Sequence, residues 1–172
     1  MGVACLVVLD SRDLSYHVFS PDDVPSTKPL IQVIELFDSA LDEGRIINGY
    51  NILNFDFTVL EHELGIKNLS EKYKPIIVDT MQHIYEQLGF RLSLQDIVSL
   101  NFNDSKLMDA KKAPMEWRKG NYEKVIDYCK KDVYLEYKLY LKGINEKMLL
   151  YKSKFSTQPR HRKAWKSLLD QL

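Results

Sequence analysis

Cysteine is scarce in this chain, with only Cys5 and Cys129 among 172 residues. The two lie far apart in sequence and fit no metal-ligand spacing. They indicate no disulfide framework, and a reducing, cytoplasmic compartment is the expectation. Long apolar runs are also lacking. None approaches the roughly 20 residues that cross a bilayer, so no membrane partner is expected. The opening "MGVACLVVLD" lacks a basic leader and reaches Asp10 quickly, so it reads as a strand rather than a signal peptide. Gly2 stands where N-myristoylation would need it, but Leu6 occupies the position that motif reserves for Ser or Thr. Internal repeats, low-complexity tracts and a linker marking a second domain are absent. Net charge is absent too: 24 Lys+Arg balance 24 Asp+Glu.

What is present is ordinary for a soluble domain: 45% hydrophobic and 28% charged residues, at a length suited to one compact domain. The zero net charge hides a division. Residues 1–110 carry 8 Lys+Arg against 17 Asp+Glu, or −9, and residues 111–172 carry 16 against 7, or +9. A basic C-terminal third suits phosphates. The plainer reading is a set of solvated helix faces, or pairing with the acidic part.

Periodicity gives a coarse outline. "VACLVVLD" and "SYHVF" are β-rich runs joined by "SRDL", a hairpin pattern. "SPDDVPSTKP" is a loop. "LIQVIELFDSALDEG" has apolar residues at helical spacing with Gly44 as its stop. "RIINGY" is a short buried strand, "FDFTVLEHELG" a helix ending at Gly65, and "KPIIVDT" another short strand. "MQHIYEQLG" is a helix closed by Gly89, with Asp79 as its N-cap, and Ser93 caps a helix in "RLSLQDIVSLNF". Short helical pieces broken at Pro114 and Gly120 follow. "NYEKVIDYCKKDVYLEYKLYLKG" is the longest helix, and "EKMLLYKSK" a final strand. This order predicts an α/β domain with one mixed sheet over residues 1–150. Residues 151–172 form a basic tail or short helix, whose "PRHRKAWK" offers cations and a stacking Trp to nucleic acid.

Two stretches carry chemistry. In "GYNILNFDF" (49–57), Asn51 and Asp56 interrupt an apolar run, and a buried carboxylate is costly unless paired or metal-bound. Asp56 either serves the start of its helix, where the dipole tolerates negative charge, or holds a metal. In "YCKKD", Tyr128 and Asp132 are four residues apart and share one helix face. A carboxylate beside a phenol there suits a hard cation, Mg²⁺ or Mn²⁺, with the phenol orienting a water. The spacing alone is a weak signal, since Tyr-x-x-x-Asp is common on amphipathic helices and Tyr there is usually core packing.

Taken together, "N-x-x-x-F-D" and the later "Y-x-x-x-D" resemble the second and third motifs of the DEDD superfamily of 3′–5′ exonucleases, in its Tyr-bearing branch (DEDDy). "VACLVVLDSRDLSYHVF", "INGYNILNFDFTVL", "GFRLSLQDIV" and "WRKGNYEKVIDYCKKDV" are similar to exonuclease domains related to the proofreading domain of family B polymerases. The resemblance spans roughly residues 1–150. It implies an RNase H-like fold, a mixed β-sheet flanked by helices. It also implies two divalent ions held by four carboxylates, which activate a water and stabilise the leaving 3′ oxygen. Asp56 and Asp132 would be catalytic metal ligands, Tyr128 would position the attacking water, and Asn51 would lie on the substrate side.

The family's first motif, Asp-x-Glu on the first central strand, has no counterpart here. "VACLVVLD" resembles the strand after it, and Asp10 and Asp13 read as turn residues. Either the chain starts late or it is a degenerate relative. Without that strand, "VACLVV" and "RIING" must pair directly, take a strand from another chain and so form an oligomer through the unpaired edge, or leave backbone groups unpaired. The expectation is an exonuclease-type domain for DNA or RNA 3′ ends, inactive or impaired, with at most one weakly held ion. The alternative is a non-catalytic nucleic-acid- or protein-binding module of the same fold. A third reading, an unrelated α/β protein, would follow if Asp56 and Asp132 lay far apart.

Overall fold

The structure, a computed structural model, describes residues 3–104, 112–152 and 160–162. Seven α-helices and seven short strands occur among them, a mixed α/β chain. The N-terminal hairpin forms as its β-branched residues predict. Strand β1 (Leu6–Asp10) pairs antiparallel with β2 (Ser15–Ser20), with Val7 opposite Val18 and Asp10 opposite Ser15. Leu14 takes the left-handed turn conformation (φ 60°). Asp10 accepts from the Arg12 backbone N–H at 3.0 Å, and Asp13 from that of Ser15 at 2.9 Å, so both carboxylates are turn residues. Strand β3 (Lys28–Pro29) adds parallel to β2.

A 3₁₀ turn then leads into α1 (Val33–Asp42). Strand β4 (Ile47–Gly49) precedes α2 (Asp56–Leu64) and α3 (Leu69–Tyr73). Strand β5 (Ile77–Asp79) runs directly into α4 (Thr80–Leu88), and α5 (Leu94–Phe102) follows. Helix α6 (Ala113–Arg118) and the 25-residue α7 (Tyr122–Glu146) come next. Strands β6 (Leu149–Tyr151) and β7 (Arg160–Arg162) pair antiparallel.

Two expectations change. The single mixed sheet is instead three small sheets among the described residues: β1–β2–β3, β4–β5 and β6–β7. Strand β1 has β2 as its sheet neighbour, and β4 pairs with β5 rather than with β1. Pro114 does not break a helix. It occupies the first turn of α6, where its missing N–H costs nothing and its fixed φ is already helical. Arg160–Arg162 form a strand, while the rest of the tail, 153–159 and 163–172, lies outside the described residues.

The chain divides into two compact units. The first comprises residues 1–47, 52–77 and 106–134 and holds two apolar clusters. One gathers Val33, Phe37, Phe57, Leu60 and Tyr73. The Tyr73 ring meets Phe37 edge-on at 5.5 Å, and its hydroxyl donates to Asp38 at 2.7 Å. The other gathers Val7, Val18, Trp117, Val125 and Ile126. The second unit comprises residues 48–51, 78–105 and 135–172, with a core of Ile84, Ile97, Val98, Leu135, Leu139 and Leu149. There the Asn101 side chain acts as a strand edge. It donates to Leu150 O at 2.8 Å and accepts from Leu150 N–H at 2.9 Å, tying α5 to β6.

Candidate functional site

Asp56 is placed by the turn before it. Phe57 N–H donates to Ile52 O at 3.0 Å, which closes the entry into α2. The Phe57 ring is buried, 5.8 Å from that of Phe37, and fixes the first turn against the core. Asp56 is therefore the first residue of α2, half-buried, where unpaired backbone N–H groups and the helix dipole favour a carboxylate. Phe57 packs beside it as the apolar pattern implied. Phe55 does not, being 52% exposed.

Tyr128 and Asp132 lie on α7. Val125 and Ile126 anchor this part of the helix in the core of the first unit, and Trp117 meets Tyr122 edge-on at 4.8 Å. Tyr128 is buried and Asp132 half-buried, one turn further along the same face.

The charges of both stretches reach Cys129. Its thiol is pushed well above the ordinary range by its hydrogen bond with Cys5 and by burial, and the negative charges of Asp132 and Asp56 add to the shift. Both carboxylates are thus near enough for their charges to reach this half-buried sulfur. Asp56, Tyr128 and Asp132 all belong to the first unit. No group of three or more His, Cys, Asp or Glu side chains that could hold a metal occurs among the described residues. Asp56 and Asp132 offer carboxylate oxygens, the donor type that hard divalent cations take.

Asn51 lies in the second unit. It adopts a left-handed backbone (φ 64°), which Asn tolerates better than most residues, and its N–H donates to Asp79 Oδ1 at 3.0 Å. Its own Oδ1 is buried with no hydrogen-bond partner among the described residues. Asp79 caps α4 as expected, accepting from Gln82 N–H at 3.1 Å. Ser93 likewise caps α5 through Asp96 N–H, also at 3.1 Å.

The sequence reading missed a buried polar network in the second unit. Asn48 Nδ2 donates to Thr80 Oγ1 at 2.9 Å and to Val78 O at 3.2 Å. The Thr80 hydroxyl donates in turn to Glu136 Oε1. Glu136 is only 6% exposed. Burial pushes its carboxyl up to about 7; the Thr80 hydrogen bond opposes this, and the charge of Asp79 reinforces it. Burial also raises the Tyr50 phenol, helped by the charges of Glu136 and Asp79, and that hydroxyl donates to Leu92 O at 3.0 Å. The signal available in sequence was the spacing: Glu136 follows Asp132 by four residues, as Asp132 follows Tyr128.

Comparisons with protein-family models, curated proteins and solved structures return no match.

Proposed function

We propose that this chain is a 3′–5′ exonuclease-type domain of the DEDDy kind, RNase H-like in descent, with an incomplete catalytic set. One observation carries the reading. Asp56 and Asp132 come from separate motifs, yet both lie half-buried in the first compact unit, with buried Tyr128 one turn before Asp132 on the same helix. The order of hairpin, helix, strand and helix around them also agrees with the resemblance. The substrates are DNA or RNA 3′ ends, and the cation is Mg²⁺ or Mn²⁺. With two carboxylates in place of four, hydrolysis is weak or absent. The small donor set also favours a second reading, a non-catalytic nucleic-acid- or protein-binding module.

The test uses the full chain with single-stranded and recessed-end oligonucleotides and Mn²⁺. Release of 3′ nucleotides should be at most trace. The unfolding midpoint should rise slightly with Mn²⁺, and Asp56→Asn or Asp132→Asn should abolish that rise. A Mn²⁺ response unchanged in both variants would remove the metal site. Robust, processive hydrolysis would overturn the claim of impairment.

A further inference from the structure

We propose that Cys5 and Cys129 form a reversible disulfide, a modification site for low-molecular-weight disulfides of the glutathione class. The chain's two cysteines stand at opposite ends of the first unit's sequence, yet their sulfurs share a hydrogen bond at 3.7 Å. A disulfide needs about 2.05 Å between the sulfurs, so a modest shift of one side of the pair closes the bond. Cys5 can supply that shift. It lies in irregular chain just before β1, whereas Cys129 is fixed within α7. The segment is nevertheless held in place, because the Ser20 hydroxyl donates to Ala4 O at 3.0 Å. Both thiols flank the apolar cluster of Val7, Val18, Trp117 and Val125, and both are half-buried, so a small reagent can reach them.

The geometry of the pair orders the chemistry. Cys5, in irregular chain, is the sulfur free to swing toward a small reagent, while Cys129 is fixed within α7 and stays poised beside it at 3.7 Å. Cys5, once deprotonated, is therefore the attacking thiolate. It forms a bond to one glutathione sulfur and expels the other glutathione as a thiolate, which takes up the proton Cys5 released. Once Cys5 is bound in the mixed disulfide, its sulfur is held next to Cys129. Cys129 then loses its proton, attacks the Cys5 sulfur and expels the second glutathione, which takes up that proton. In sum, two protein thiols are oxidised to one disulfide, and one glutathione disulfide is reduced to two thiols. Excess thiol reverses both steps.

The bond would tie the N-terminal segment to α7 at the residue following Tyr128, within one turn of Asp132. A transient, regulatory disulfide of this kind is compatible with a reducing compartment. The inference does not depend on the exonuclease reading.

The test titrates the full chain with mixtures of reduced and oxidised glutathione, both folded and in guanidinium chloride. Free thiols are counted, and digests are mapped without reduction. In the folded chain two thiols should disappear together, and one peptide pair joining Cys5 to Cys129 should appear. The ratio of oxidised to reduced glutathione needed should be at least roughly tenfold lower than for the unfolded chain. Dithiothreitol should restore both thiols, and oxidation should raise the unfolding midpoint. Cys5→Ser and Cys129→Ser should each give only a mixed disulfide with glutathione. Separate glutathionylation of both cysteines, a disulfide between two chains, or equal oxidation of folded and unfolded chains would overturn the proposal.

Discussion

Glu136 makes the stability of this protein depend on pH in an unusual direction. Its carboxyl stays neutral in the fold up to about pH 7, whereas in the unfolded chain it ionises near 4.5. Between those values the native state holds a proton that the unfolded state has lost, so stability falls as pH rises. The slope is roughly 1.4 kcal/mol per pH unit, and the whole window is worth about 3 kcal/mol. Asp10 works in the opposite sense. Its hydrogen bonds from Arg12, including Nη2 at 2.7 Å, lower it to about 2, and Lys124, Asn121 and Lys119 do the same for Glu116. Their contribution is present above the ordinary carboxyl range and is lost as pH falls toward 2. Urea unfolding across pH 3–8 should therefore show a maximum just above that range. Glu136→Gln should flatten the decline above it and leave the acid limb in place. A decline between pH 4.5 and 7 that survives in the variant would mean that another group supplies it.

Helix boundaries were largely legible because they are written in single residues. Asp79 and Ser93 each accept the N–H three residues on, and their spacing to the apolar run is a local signal. Ser93→Ala should cost about 1 kcal/mol in equilibrium unfolding. Gly65 ends α2 at φ +66° with nothing within 4 Å of the position a Cβ would take. The penalty for a side chain there is one of backbone conformation alone. Gly65→Ala should destabilise by about 1–2 kcal/mol, and Gly65→Asn by less, since Asn103 already ends α5 in the same conformation (φ 51°). Equal losses for Ala and Asn would point to a cause other than the left-handed backbone. Less was legible where an element depends on distant partners. Helix α3 has five residues, too few for a periodic pattern, and is held by the burial of Leu69 and Tyr73. The partition into three sheets could not be read from β1, β4 and β5, because strand pairing is set by contacts far apart in sequence. The approach of Cys5 to Cys129 was not legible, since a lone cysteine in an apolar run carries no signal of a partner more than a hundred residues away. The Glu136 network hid for a related reason. A single Glu in an amphipathic helix looks solvated until Thr80 and Asn48 are brought beside it.

At the scale of the whole chain, the division of charge has the most consequence. The first 110 residues carry −9 and the last 62 carry +9, so a zero net charge conceals a basic segment. The pairs within it, Lys119 and Lys124 with Glu116 at 3.2 and 2.8 Å and Lys142 with Glu146, are already counted in that +9. The excess beyond these pairs is what a polyanion would meet. No helix among the described residues is long and apolar enough to cross a membrane. If the segment contacts a nucleic-acid backbone, each phosphate neutralised releases a condensed counterion. The logarithm of the association constant should then fall linearly with the logarithm of salt concentration, by about 0.7 per contact for a single strand. Fluorescence anisotropy with a labelled single-stranded oligonucleotide across a salt series measures that slope. Replacing Lys163 and Lys166 together by Glu should weaken binding at low salt and make the slope shallower by about one to two contacts. The unfolding midpoint of the double variant, measured beside that of the unaltered chain, separates lost contacts from lost fold. An affinity independent of salt, or a slope indifferent to both substitutions, would take nucleic-acid binding away from this segment and leave its charge as a solvated surface.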